Sequence, residues 1–104
     1  MNSADHERIV TALGFAMKAG KVRSGEFAAS KALKSGRAAL AVIDVLASEQ
    51  TKKHWNEMCS NAGVPLMEVS EPGRAIGREA HMVACVTDKG FAEMMLRSRK
   101  ENEF

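Results

Sequence analysis

The chain has 104 residues, a formal net charge of +2 and 27% charged residues, which leaves room for one compact core and not for two. Its 45% apolar content is ordinary for a globular domain. No apolar run approaches the ~18 residues of a membrane span, and the start MNSADHE lacks the basic-then-apolar pattern of a secretion signal, so the expected location is the cytoplasm.

In chain order, the spacing of Ile9, Leu13, Ala16 and Met17 predicts a helix over residues 4–18, with Ser3 as its cap and Asp5 and Glu7 at its positive end. Gly20 follows it in the left-handed position that ends helices, and Gly36, Gly63 and Gly77 are expected to end later ones. Residues 21–23 are short and extended. A second helix is expected from Ser24, as cap, to about Ser35, with a thin stripe of Ala28, Ala29, Ala32 and Leu33. Residues 40–43 are continuously apolar, as in a strand covered on both faces, and Asp44 ends them.

The third helix, about 49–62, has Ser48 as its cap and Thr51, Trp55, Met58, Cys59 and Ala62 on one face. Leu66–Val69 is the next strand. Ser70, Glu71 and Pro72 open a short helix that ends at Gly77, since proline is tolerated in a first turn. Residues 82–86 form another buried strand, and Thr87 or Asp88 caps a last helix through about Arg99. One domain over 1–104 is expected, with a core of about 4–98 and a charged, fraying tail at 99–104. The alternation predicts an α/β fold, a three-layer α/β/α sandwich.

Catalytic chemistry is not assembled in this sequence. His6, His54 and His81 lie far apart, none at i, i+4 to another ligand, so neither a helical metal pair nor a cofactor is expected. Cys59 and Cys85 are too few and too scattered for a disulfide framework or a zinc site, and both read as inert core residues. Gly20-Lys21 resembles the end of a phosphate loop, but the upstream glycine and the strand feeding it are missing. Gly73 and Gly77 read as a turn glycine and a helix terminator. The chain is expected not to be an enzyme.

The second helix is more specific. Its N-terminus, Ser24-Gly25-Glu26-Phe27, offers free amides and a positive dipole to an anion. Lys31 and Lys34 share a face, Arg37 lies just beyond, and Lys21 and Arg23 lead in from the other side. Such a basic edge suits a phosphate backbone, although the same charges describe a solvated helix face.

The segments LGFAMKAGKVRSGEFAASKAL, SEQTKK, GRAIGRE and VTDKGFA, in that order over about residues 8–95, resemble the L7Ae/L30e ribosomal protein superfamily, with particular likeness to its small bacterial YlxQ-like branch. The resemblance implies a mixed four-stranded sheet and a non-catalytic protein that binds structured RNA, kink-turn-like or ribosomal. It implies association with the ribosome or translation, and ribosomal or translation-factor proteins as partners. By position it places RNA binding at Gly25, Glu26, Phe27, Ala28 and Lys31, with Lys21 and Lys34 on the same basic edge, and at Arg78, Glu79, Ala80 and His81 in the loop before the last strand.

The chain departs from the family pattern where RNA-binding relatives usually carry Asn-Glu, because Phe27-Ala28 cannot make those hydrogen bonds to sheared G·A pairs. Each such loss is worth on the order of 1–3 kcal/mol. The 78–81 loop is also more polar than usual, and Pro72 replaces a leucine. Phe27 either stacks on an unpaired base or folds under the helix into the core, the second being preferred. The alternative function is a protein–protein adaptor that keeps the fold without kink-turn specificity. A monomer is expected, since no exposed apolar stripe is evident.

Overall fold

A computed structural model describes residues 3–100. In chain order these form α1 (Ser3–Lys18), β1 (Val22–Ser24), α2 (Glu26–Lys34), β2 (Leu40–Asp44), α3 (Glu49–Ala62), β3 (Leu66–Val69), α4 (Pro72–Ala75), β4 (Val83–Val86) and α5 (Lys89–Lys100). The strands lie in the order β1-β4-β2-β3. Strand β4 is antiparallel to both neighbours, and β3 is parallel to β2. This is the mixed four-stranded sheet that the resemblance implied.

The two central strands are buried and apolar over residues 40–43 and 83–86, because helices cover both faces. Alternation along β2 sends Leu40 and Val42 to one side and Ala41 and Ile43 to the other. The first pair joins Ile9, Leu13, Ala16 and Met95 in a core beneath α1 and α5. The second joins Ala29, Leu33, Trp55, Cys59, Val83 and Cys85 beneath α2 and α3. Burying one such Leu or Ile is worth ~1.5–3 kcal/mol, and the two cores on opposite faces hold the sheet as the middle of three layers.

The four glycines expected to end helices all adopt positive φ, from 69° to 77°. Ser48 caps α3 as expected, its Oγ accepting from the Thr51 amide. Asp88, not Thr87, caps α5, its Oδ2 accepting from the Phe91 amide at 3.0 Å. The Thr87 hydroxyl instead donates to the Lys21 carbonyl.

Several expectations need correction. Ser24 is the last residue of β1, and the cap position of α2 belongs to Gly25, which supplies no side chain. Ala62 ends α3 exposed, because the last turn runs past the edge of the core. Helix α1 already contains Ser3, so its cap lies outside the described residues. Helix α5 runs through Lys100, which takes in the first part of the expected tail, and 101–104 lie outside the described residues. Nor is the surface free of large apolar groups: Phe15, Phe27, Val45, Leu46, Met82 and Met94 are exposed. Among the described residues no helix is long and apolar enough to cross a membrane.

Candidate nucleic-acid interface

Strands β1 and β2 both run antiparallel to β4 between them, so Ser24, Asp44 and Val83 stand at one end of the sheet. Three segments meet there: the start of α2, the turn 45–47 into α3, and the loop 77–82 into β4. Backbone hydrogen bonds tie them together. The Gly25 amide donates to the Val83 carbonyl at 2.9 Å, and the Asp44 amide donates to the Met82 carbonyl at 2.8 Å. Asp44 then turns the chain, its Oδ1 accepting from the Leu46 amide at 2.9 Å, a short Asx turn. The turn leaves Leu46 78% exposed.

Gly25 adopts φ 85° and ψ 155°, a region open essentially to glycine alone. A Cβ on it would sit 3.3–3.5 Å from the imidazole of His81. That imidazole hydrogen-bonds through Nδ1 to Ser24 Oγ at 2.9 Å. His81 therefore fastens the 78–81 loop to the start of α2.

The loop is pressed against α4 in turn. The Arg78 amide donates to the Gly73 carbonyl at 2.7 Å, and the His81 amide to the Arg78 carbonyl at 2.8 Å. A Cβ on Gly73 would collide with the carbonyl oxygens of Arg78 and His81. Gly73 is thus a buried point of close approach inside α4, not the turn glycine the sequence suggested.

The first turn of α2 has no side-chain cap. The amides of Glu26, Phe27 and Ala28 have no intrahelical acceptor by position, and the helix dipole makes this end positive. Phe27 is 84% exposed, which corrects its expected burial in the core. The physical reason is helical geometry. Ala29, Ala32 and Leu33 form the buried face, and at ~100° per residue Phe27 points almost opposite Ala29.

Phe27 and Lys31, one turn apart, form an exposed ridge. On its α3 side lies a groove that includes Ser30, Lys34, His54, Trp55 and Met58. On its other side a shallower hollow brings in Arg23, Ala28 and Arg37. Arg23 is partly engaged, its guanidinium donating to the carbonyls of Gly20 and Val22.

The structure thus sets His81 against Ser24 and Gly25 at the start of α2, with Glu26, Phe27, Ala28 and Lys31 following on the helix and Arg78, Glu79 and Ala80 in the loop that His81 ends. It does not bring in Lys21 or Lys34. Lys21 precedes β1 at the opposite end of the sheet, where its carbonyl accepts from the Thr87 amide. Lys34 ends α2, ~12 Å along the axis from Glu26.

Sequence reasoning missed Val45 and Leu46, and it wrongly placed Met82 in the buried strand, which begins at Val83; all three are exposed at this end. The available signal was a pair of apolar residues between a strand-ending Asp44 and a helix-capping Ser48, where a turn has no core to bury them.

The thiols offer no nucleophile. Burial pushes Cys85 up to about 12, helped by the neighbouring Cys59. Burial also raises Cys59. Cys85 Sγ donates to the Ala29 carbonyl at 3.3 Å. Among the described residues no group of three or more His, Cys, Asp or Glu side chains is placed to hold a metal ion.

The sequence profile of the ribosomal protein L7Ae/L30e/S12e/Gadd45 family matches residues 7–95. The chain is 39% identical over 87 residues to an RNA-binding protein YlxQ of Bacillus subtilis (strain 168), covering 81% of this chain and 87% of that one. It is 30% identical over 96 residues to an RNA-binding protein YlxQ of Enterococcus faecium, covering 89% and 92%.

Among solved structures, a protein with unknown function from Bacillus halodurans C superimposes with a TM-score of 0.83 at 28% identity, covering 89% of this chain and 97% of that one. A Giardia lamblia 15.5kD RNA binding protein superimposes with a TM-score of 0.77 at 20% identity, covering 96% and 92%. The second likeness speaks for the fold alone.

Proposed function

The chain belongs to the ribosomal protein L7Ae/L30e/S12e/Gadd45 family, and from that premise we propose that it is a non-catalytic protein that binds structured RNA at the sheet end where α2 begins. The observation that carries this reading is the uncapped first turn of α2, set beside an exposed aromatic ring. Three backbone amides and a helix dipole attract a phosphate there. Phe27 stacks on an unpaired base, which suits RNA because every base has a π-face. Lys31 reaches a neighbouring phosphate, and Lys34 adds a more distant one. The 78–81 loop, fastened to Gly25 through His81, covers a second base, with Met82 and Leu46 as apolar flanks.

The target is a kink-turn-like or ribosomal RNA, approached differently from the usual family readout, because Phe27-Ala28 has no amide or carboxylate to read base edges. We further propose that the protein acts in the cytoplasm as a monomer, in association with the ribosome or translation. The relatives called RNA-binding proteins support the RNA part of this reading.

Filter binding or gel shift against kink-turn and rRNA fragments tests it. The expected result is binding that weakens steeply with salt and weakens further in Lys31→Ala combined with Lys34→Ala. Failure to bind any structured RNA at low salt sinks the proposal. A second reading, a protein–protein adaptor, is favoured by one observation: Phe27, Leu46 and Met82 expose apolar side chains where polar base contacts would be wanted. Partners that survive nuclease treatment in a pull-down, together with no RNA binding, would establish it instead.

A further inference from the structure

The groove between α2 and α3 has a volume of about 750 Å³, within the range of sites that hold a small ligand. Its rim carries Lys31, Lys34 and His54 against one carboxylate, Glu26. Phe27 forms one wall, and Trp55 and Met58 line the α3 side. Trp55 is only 1% exposed, and its indole Nε1 is buried without a hydrogen-bond partner among the described residues. Buried donors are seldom left unpaired, because the lost hydration is not returned. The groove is continuous with the α2 surface through Glu26, Phe27 and Lys31, yet it runs away from the sheet end and the 78–81 loop.

We propose that this groove holds an additional unpaired nucleotide of the bound RNA strand. The proposal rests on the RNA-binding reading above. The base lies in the groove against Phe27 and Met58, and the phosphate sits between Lys31 and Lys34. An aromatic wall and paired cations are the parts of a single-strand site. A groove for an acidic peptide would share the cations.

Trp55 is the chain's sole tryptophan, so its emission reports directly on the groove. The full chain is titrated with a kink-turn RNA, once blunt-ended and once carrying a short single-stranded tail, while binding and Trp55 emission are recorded. The tail is expected to tighten binding about tenfold and to quench or shift the emission. Two variants outside the sheet-end site, His54→Glu at the rim and Ser30→Leu filling the groove, are expected to remove the gain and leave blunt-RNA binding within about twofold.

Blunt-RNA binding with no tail effect, or a tail effect that persists in both variants, overturns the groove proposal alone. No binding of either RNA overturns the RNA-binding reading and the groove proposal with it. A polyglutamate peptide that changes Trp55 emission and competes with the tail would assign the groove to a protein partner and overturn the nucleotide.

Discussion

Helices α2 and α3 leave the same end of the sheet, but they treat their first turns differently. At α3, Ser48 Oγ accepts from the Thr51 amide at 3.1 Å and donates to the Thr51 hydroxyl at 2.9 Å. The helix then commits Trp55 and Cys59 to the core. At α2, the cap position is a glycine with nothing to offer, and the adjacent Ser24 hydroxyl is bonded to His81. The two side chains that follow it, Glu26 and Phe27, are both exposed, and the second is an aromatic ring. One helix start holds its third amide with a side chain and the other leaves the equivalent amide, that of Ala28, without one. On the proposed reading, that difference marks α2 as the docking helix and α3 as a structural one.

Substitutions at the two starts should therefore have opposite consequences. The largest effect is expected at Gly25→Val, which forces a β-branched residue into φ 85° and against His81. It should lose about 2–3 kcal/mol of stability in urea unfolding, with RNA binding lost as the loop detaches. Phe27→Ala should leave the urea midpoint unchanged, because the ring is exposed, and weaken RNA binding by ~1–3 kcal/mol. An unchanged affinity would break the assignment of α2 as the docking helix.

Ser48→Ala should do the reverse. It should lower stability by about 1 kcal/mol and leave RNA affinity where it was. The smallest effect is expected at Lys31→Ala, whose signature is a salt dependence shallower by about 0.7–0.9 in log–log slope.

How much of this was legible in the sequence follows the range over which each feature is decided. The Ser48 cap and the left-handed glycines depend on neighbours within a turn, and they were readable. So were the buried strands at 40–43 and, apart from the exposed Met82, at 82–86, because their runs admit no polar face. The role of Ser24 was misread because its partner, His81, is 57 residues away. Gly73 was misread because the carbonyls that crowd it come from a loop whose path the sequence does not reveal.

Phe27 is a different case. The helical period set it opposite Ala29, and the expectation of burial followed the aromatic side chain instead of the angle. The exposed Leu46 escaped notice and Met82 was taken for the start of a buried strand, because which residues end the sheet depends on the strand register. The candidate site was therefore half legible: its residues on α2 and in the loop could be named, but not the histidine bond that joins them.

On the proposed reading, RNA docks at the start of α2 and not at the start of α3, where Ser48 holds the Thr51 amide. Amide chemical shifts in ¹⁵N-labelled protein, followed while a kink-turn RNA is added, test it most directly. Large shifts are expected at Gly25, Glu26, Phe27 and Ala28, with accompanying shifts over residues 78–82, while the Thr51 amide held by Ser48 stays in place. Shifts confined to α1 and α5, or largest at the start of α3 with the α2 amides unmoved, would contradict it.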